Sequence, residues 1–347
     1  MNARSGFMAM LAAGFLCAIT MSAAGPPQDT RPQGGTARSD ARGDPTSAAH
    51  ADDDFSAHLD ALWDYRDAAA SEQRFRTELA RYTPASREAL EIQTQIARTL
   101  GLRRQFDAAH ALLDQVAPSL EAVDPRVRVR YLLERGRAYN SAGSPSRAVP
   151  LFQEAFTRSD SAGRRGDTFY TIDALHMLGI AAPPAEQLDW NLKALAAAEA
   201  ADDPRARRWQ ASLNNNIGWY YHDRGDYAQA LSYFERALPA WEARGNAVDV
   251  RTAKWTIARA LRSLKRYDEA FAIQSTLCGE SEAAGSTDGY VYEELGELEI
   301  ARGNAAAARP WFAKAYALLK DDSGFVATEP ARLARLAKLG GVGASAP

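Results

Sequence analysis

Arginine, tryptophan and asparagine side chains recur at helical spacing through the middle of the sequence. An arginine can grip a carboxylate with two parallel hydrogen bonds, and a tryptophan supplies a large, rigid contact surface. An asparagine can bond to the backbone of an extended peptide. We therefore predict a surface that binds a peptide or a segment of a partner protein, in particular one that is acidic or ends in a carboxylate. The candidate residues are Arg130, Arg137, Asn140, Asn215, Trp219, His222, Trp255, Arg259 and Arg262.

An acidic group extends this pattern toward the C-terminus, where Glu293 and Glu297 follow at the same helical offsets. The surface would then have a basic, aromatic middle and an acidic end. An alternative stays open, in which the two tryptophans pack between helices and neighbouring carboxylates neutralise the arginines. The carboxylates considered for this pairing are Asp173, Asp223 and Glu242.

Patterns typical of catalysis or of cofactor binding do not occur. The histidines fall in no metal-binding spacing, and no Cys-x-x-Cys is present. The sequence also lacks a glycine-rich phosphate loop and a Gly-x-Ser-x-Gly elbow. We expect no catalytic residue, no metal and no cofactor, and a protein that is not an enzyme.

The candidate residues are positioned by pairs of helices, and the clearest pair lies between Leu213 and Leu238. The segment reads LNNNIGWYYHDRGDYAQALSYFERAL. Gly218 lies on the first predicted helix and Phe234 on the second, and a turn beginning at Gly225 joins them. A small residue lets two helix backbones approach closely, while aromatic and aliphatic side chains fill the remaining space.

The same pattern recurs along residues 84–320 with intervals of 38 to 42 residues between the small positions. These positions are Ala97, Gly136, His176, Gly218, Ala258 and Gly296. Apolar residues of a second helix follow each one, as Ala230, Phe234 and Ala237 follow Gly218. Two places depart from the pattern: His176 is large, and Lys265 stands where a turn glycine is expected.

This pattern resembles the tetratricopeptide repeat (TPR), whose standard period is 34 residues. With a period of about 40 residues, the chain is similar to bacterial, exported proteins that contain this repeat. The resemblance implies an all-α, right-handed α-solenoid of about six TPR-like helix hairpins with capping helices. It also implies that the first helix of each hairpin lines a concave groove, which would hold the candidate residues above.

The N-terminus predicts export. Arg4 precedes an apolar run from Phe7 to Met21, and small residues up to Ala24 end it, as in a cleaved secretory signal. We predict a signal peptide at 1–24, a periplasmic location and no membrane span after its removal. Anchoring through the uncleaved N-terminus or through a lipidated Cys17 is the alternative.

The rest of the chain divides into four predicted regions. Residues 25–54 are rich in Pro, Gly, Ser and Asp and form a disordered linker. Residues 55–82 form an N-terminal capping helical segment, 83–320 the solenoid, and 321–347 a C-terminal capping helix with a tail. In the last region Leu333, Leu336 and Leu339 repeat at helical spacing.

The charge balance bears on the class of partner. The chain has 41 basic and 44 acidic residues and a formal net charge of −3, without the basic excess that nucleic-acid binding requires. We predict a non-enzymatic adaptor or scaffold that binds a protein or peptide. Two alternatives are a ligand-sensing subunit that signals to a membrane partner and an accessory subunit of an envelope enzyme or assembly machine.

Overall fold

The computed structural model describes residues 55–65, 67–161 and 167–342. The predicted signal peptide (1–24) with Cys17, and the predicted linker (25–54), lie outside the described residues. Every regular element in the described ranges is helical. The chain forms two compact units, and among the described residues Leu213 ends the N-terminal unit and Asn214 begins the C-terminal unit.

Helix pairs build the N-terminal unit, with α3/α4, α5/α6 and α7/α8 as the pairs. Its helices are α1 (55–61), α2 (Ala68–Leu79), α3 (Arg87–Leu102), α4 (Phe106–Val116), α5 (Pro125–Ser141), α6 (Pro145–Ser161), α7 (Asp167–Ala181), α8 (Gln187–Ala200) and the short α9 (Pro204–Arg207). The first helices α3, α5 and α7 lie side by side.

The C-terminal unit continues the same plan, with α10/α11, α12/α13 and α14/α15 as the pairs. Its helices are α10 (Trp209–Asp223), in which the division between the units falls, α11 (Tyr227–Arg244), α12 (Ala247–Ser263), α13 (Tyr267–Ala283), α14 (Gly289–Ala301), α15 (Ala305–Leu319), α16 (Ser323–Thr328) and α17 (Pro330–Gly340). The prediction of an all-α fold of stacked helix hairpins is confirmed.

Local sequence determines where these helices begin. Asp124 precedes Pro125, and its carboxylate accepts a hydrogen bond of 2.8 Å from the backbone N–H of Arg126. Proline suits the first helical turn because its missing N–H would have no partner there. Asp226 caps α11 through the N–H of Gln229 at 3.1 Å. Asp226, which follows Gly225 in the turn, therefore also starts the second helix of its pair.

At three of the predicted small positions, the close contact of the paired helices requires glycine. A Cβ atom on Gly136 would lie 2.4 Å from Phe152 Cε1, and one on Gly296 would lie 2.8 Å from Phe312 Cε1. Gly218 faces Phe234 in the same way, at 2.5 Å. Since a Cβ cannot approach a carbon this closely, only glycine lets the ring fill the space between the helices.

The turn within five of the six helix pairs has a left-handed residue at a fixed place, seven residues after the small position. These residues are Arg104, Gly143, Gly225, Lys265 and Gly303, with φ between 60° and 85°. A residue in this conformation ends the first helix and redirects the chain into the second. Arginine and lysine therefore occupy conformations in which glycine is favoured.

The third pair differs from the others at the small position. Its glycine at the helix contact is Gly179, where a Cβ would lie 2.5 Å from Asn191 Nδ2, and the predicted position holds His176. His176 is too large to admit a neighbouring backbone, and its ring contacts Trp209 at 4.8 Å between ring centroids. Asn191 donates a 3.1 Å hydrogen bond to the Gly179 carbonyl, which joins the helices one turn nearer to their loop.

The C-terminal helix α17 packs on α15 with the leucine face that the sequence indicates. Leu336 is fully buried, and Leu333 and Leu339 are partly buried against the same apolar cluster. Gly340 lies so close to the backbone of Ala313 that a Cβ would come within 2.7 Å of its nitrogen. No helix in the described ranges is both long enough and apolar enough to cross a membrane.

We expect Lys265→Gly to stabilise the C-terminal unit. A left-handed conformation costs a residue with a Cβ about 1–2 kcal/mol, and the greater chain entropy of glycine offsets part of the gain. The free energy of unfolding should rise by about 1 kcal/mol, measured as a higher urea midpoint. Lys265→Ala removes the same side chain but keeps the Cβ, so it should give no such gain. Equal midpoints for the two variants would contradict the explanation.

Candidate functional site

Three arginines and three carboxylates alternate across the first helices of the N-terminal unit. We call the surface formed by α3, α5 and α7 the N-terminal first-helix face. Arg130 Nε lies 3.2 Å from Glu91 Oε2, and Arg137 Nη1 lies 2.6 Å from Glu134 Oε1. Arg98 Nη1 lies 3.6 Å from the same oxygen of Glu134. The charges therefore link α3 to α5.

The alternating charges continue to α7, where Arg137 forms a short ion pair with Asp173. Burial opposes the charge of Asp173, but Arg137 and Arg98 hold the pKa of this carboxyl below its usual range. The six side chains are only 0–14% exposed and their formal charges sum to zero. Arg137 therefore pairs with Asp173, as the alternative in the sequence analysis allowed. Asn140 lies half-buried beyond it on α5.

Residues 55–65, which we call the N-terminal strap, lie against this face. Asp60 accepts two hydrogen bonds from Arg205, of 2.7 Å from Nε and 3.1 Å from Nη2. Trp63 Nε1 donates to Gln95 Oε1 at 3.2 Å, and Arg130 Nη2 donates to Ser56 Oγ at 3.5 Å. Arg130, predicted to bind a partner, thus binds the chain itself.

The buried residues of the strap follow a helical pattern. Ser56, Leu59 and Trp63 are buried, and Asp60 is half-buried. Ser56, Leu59 and Asp60 are positions i, i+3 and i+4 of one face of α1, and Trp63 follows the end of this helix. The sequence predicts that these residues belong to an N-terminal capping segment. The pattern was visible, but it does not reveal which surface the face contacts.

The C-terminal first-helix face, formed by α10 from Asn214 onward with α12 and α14, has an aromatic centre. Trp219 and Trp255 are half-buried, and their rings lie 6.3 Å apart between centroids. Trp219 also contacts His222 at 5.2 Å, and Trp255 Nε1 donates a 3.3 Å hydrogen bond to the Tyr290 carbonyl. Asn215 is buried one turn before Trp219. The structure therefore brings the predicted residues of α10 and α12 together.

The arginines of this face meet a carboxylate that the sequence analysis did not select. Arg262 binds both oxygens of Glu294, with a distance of 3.1 Å from Nη2 to Oε2. Arg259 Nη1 lies 3.7 Å from the same Oε2. Burial raises the pKa of Glu294 against the opposing effect of Arg262. The basic middle is therefore partly neutralised, with two arginines facing one carboxylate.

The predicted acidic end pairs with the C-terminal helix α17. Arg332 forms two hydrogen bonds with Glu293, of 2.7 and 2.6 Å, and Arg335 pairs with Glu297. Since both glutamates have arginine partners, this end of the face offers no excess of negative charge. These pairs instead fix α17 along α14.

His222, Ser263 and Asp223 form a small polar group beside the tryptophans. His222 Nε2 lies 3.0 Å from Ser263 Oγ, and His222 Nδ1 lies 3.9 Å from Asp223 Oδ1. Burial and the nearby Arg262 lower the pKa of His222 to about 4, and burial raises the pKa of Asp223 to about 7. Near neutral pH the histidine is uncharged and the aspartate is only partly ionised.

A small cavity of about 60 Å³ lies where α12 and α14 begin, between Trp255, Arg251 and Tyr290. Its volume corresponds to one or two water molecules, which is too little for an organic cofactor. Within the described residues, no group of three or more His, Cys, Asp or Glu side chains is arranged to hold a metal ion.

We expect the buried His176 to make the N-terminal unit sensitive to acid. Burial lowers its pKa to about 4 from an ordinary 6.5, so the unfolded chain takes up the proton first as the pH falls. The stability from the neutral ring is complete above pH 6.5 and is lost as the pH falls toward 4, by up to roughly 3 kcal/mol.

His176→Gln should therefore flatten the fall in urea midpoint between pH 6.5 and 4. The matched control His58→Gln, at an exposed histidine of the strap, should leave most of the fall in place. If both variants lose stability in parallel with the native chain, His176 is not the group responsible.

Comparison with known proteins agrees with this architecture. The family model for the tetratricopeptide repeat matches residues 209–277. These residues cover α10, α11 and most of α13, with α12 between them. None of the curated proteins matches the sequence.

Solved structures share the fold at low sequence identity. NprR in complex with its cognate peptide NprX is 16% identical, with a TM-score of 0.51, covering 86% of each chain. The apo form of RapI is 12% identical, with a TM-score of 0.60, covering 85% of this chain and 81% of its own.

A third structure is a signal-transduction ATPase with a tetratricopeptide repeat sensor from Pyrococcus horikoshii. It is 17% identical with a TM-score of 0.60, covering 80% of this chain and 42% of that protein. At these identities the likeness concerns the fold alone. Together with the match at residues 209–277, it shows an all-helical fold of stacked helix pairs like those of tetratricopeptide-repeat proteins.

Proposed function

We propose that this chain is a non-enzymatic adaptor that binds a peptide or an extended segment of a partner protein on its C-terminal first-helix face. The observation that carries the proposal is the pair of half-buried tryptophans, Trp219 and Trp255, beside Arg259. Tryptophan and arginine are the residue types that contribute most to protein binding energy. Partly exposed aromatic rings next to a cation suit a partner side chain with an apolar body and an acidic group.

The charges of this face favour an acidic partner. Arg259 and Arg262 carry two positive charges against Glu294, and Asp223 is only partly ionised near pH 7. Arg259 lies 3.7 Å from Glu294 and is 23% exposed, so an incoming carboxylate can reach its guanidinium. A bidentate contact would improve on the long contact that it has with Glu294.

The N-terminal first-helix face is less suited to a first contact with a partner than the C-terminal face. Arg98, Arg130 and Arg137 are largely buried and paired with carboxylates, and the strap lies against this face. A partner would have to break these pairs before using Arg130 or Arg137, at the cost of leaving a buried charge without its partner. We therefore propose the C-terminal face as the first site of contact.

Two further observations support the class of function. NprR was solved with a bound peptide, and its fold resembles this one. The sequence of residues 1–24 has the features of a secretory signal, so we propose that the adaptor works in the periplasm. Its partner would then be an envelope protein or a peptide that enters this compartment.

The test compares capture of partners from an envelope extract by the native chain and by Trp219→Ala/Arg259→Ala. We expect a partner that the native chain retains and the double variant loses, with at least a tenfold weaker Kd for the purified partner. Retained proteins are identified by mass spectrometry, and circular dichroism checks that both chains are equally helical.

A matched control uses the same residue types elsewhere. Trp190 and Lys193 form a cation–π pair on α8 with a distance of 4.5 Å from Nζ to the ring centroid. Trp190→Ala/Lys193→Ala should retain the partner, because α8 is a second helix. Loss of the partner in both double variants, or in neither, contradicts the proposed site.

A further inference from the structure

We propose that the N-terminal first-helix face is a second binding site, for an amphipathic helix, and that the N-terminal strap occupies it as an internal ligand. A partner helix with the same buried pattern would compete with the strap. This inference is independent of the proposed function, which concerns the C-terminal face. It adds a site, a class of ligand and a means of controlling access.

The strap crosses several helix pairs, which an end cap does not do. Besides Ser71 and Arg74 on α2, its hydrogen-bond partners include Gln95 on α3, Arg130 on α5, Tyr170 on α7 and Arg205 on α9. An end cap would cover the apolar side of the terminal pair alone. The strap instead follows the line of first helices, as a bound helix does when it lies in a groove.

Two kinds of contact hold the strap: buried apolar side chains and polar side chains that form hydrogen bonds or ion pairs. Leu59 is fully buried and Trp63 is 7% exposed, and both pack in a cluster with Phe75, Ile92 and Ile96. Ser56 and Asp60 make the polar contacts, with Arg130 and Arg205 respectively. The face therefore selects a short helix with a hydroxyl, an aliphatic residue and a carboxylate at i, i+3 and i+4, followed by a tryptophan just beyond the helix end.

Arg205 is the residue that selects the carboxylate. It forms two hydrogen bonds with Asp60, and its guanidinium carbon lies 3.6 Å from the ring centroid of Phe169. The ring and the short helix α9 fix the planar guanidinium with its donors toward the strap. A carboxylate fits these two parallel donors, whereas an amide or a lysine does not.

The strap is also suited to release. Its helix α1 spans residues 55–61, which is too short to be stable in water without the surface that it contacts. Its central ion pair is partly open to solvent, with Arg205 18% and Asp60 21% exposed. A competing helix that supplies the same buried side chains can therefore take the place of the strap.

The experiment uses the full chain and a fluorescein-labelled synthetic peptide with the sequence of residues 55–65, FSAHLDALWDY. Asp60→Lys weakens the strap by placing a cation against Arg205. We expect the peptide to bind this variant at least tenfold more tightly than it binds the native chain, measured by fluorescence anisotropy. The matched control Ala61→Lys places a lysine at an exposed position of the strap, so its affinity should stay at the native level.

A charge exchange separates recognition from altered folding. A second weakened chain, Leu59→Ala/Trp63→Ala, should bind the native peptide as the Asp60→Lys chain does. In this second chain, whose strap carries no added lysine, Arg205→Asp should abolish binding of the native peptide. It should restore binding of a peptide in which arginine replaces the aspartate at position 60.

Three results would overturn the proposal: no gain in either weakened chain at unchanged helicity, an equal gain with Ala61→Lys, or no restoration by the exchanged charges. Trp219→Ala/Arg259→Ala should leave binding of this peptide unchanged. Failure of the second site can therefore be distinguished from failure of the proposed function.

Discussion

The close contact between the two helices of a pair is the constraint on which the rest of each unit depends. Gly136, Gly218 and Gly296 each lie under a phenylalanine ring with no space for a Cβ atom. This contact fixes the distance and rotation of the paired helices, and therefore which residues of the first helix face the next first helix. The ion pairs of α3, α5 and α7, and the tryptophan contact between α10 and α12, follow from that rotation.

The two first-helix faces use the same geometry with different chemistry. In the N-terminal unit the charges cancel in buried pairs, whose attraction is largely offset by the cost of desolvation. The strap completes that surface. In the C-terminal unit, Trp219 and Trp255 stay half-buried, and two arginines share Glu294. A fold of repeated helix pairs can thus hold one face occupied by its own chain and present another to a partner.

Much of the fold could be predicted because it depends on local sequence. Spacing in the sequence predicts the small positions and the apolar residues that follow them. The structure has a left-handed turn residue at the same distance from the small position in five pairs, and Lys265 is one of these residues. The third pair differed because His176 excludes a neighbouring backbone, which moves the contact to Gly179. Asp173 was among the carboxylates considered as arginine partners and does pair with Arg137, but Glu294 was not predictable. Glu294 is adjacent to the selected Glu293, and only the relative rotation of α12 and α14 decides which of them Arg262 meets. The strap was missed for the same reason: an amphipathic face shows that a helix is bound, but not where.

Hydrogen–deuterium exchange of the full chain, read by mass spectrometry, tests most directly whether the N-terminal strap is bound to its face. A helix of this length exchanges freely in water, so protection of its amides requires the surface beneath it. We predict that the amides of residues 57–63 exchange much more slowly than the same amides in an unstructured peptide. Asp60→Lys should remove this protection while α3 keeps its own. Exchange at the unstructured rate in the native chain would show that the strap is not bound to this face.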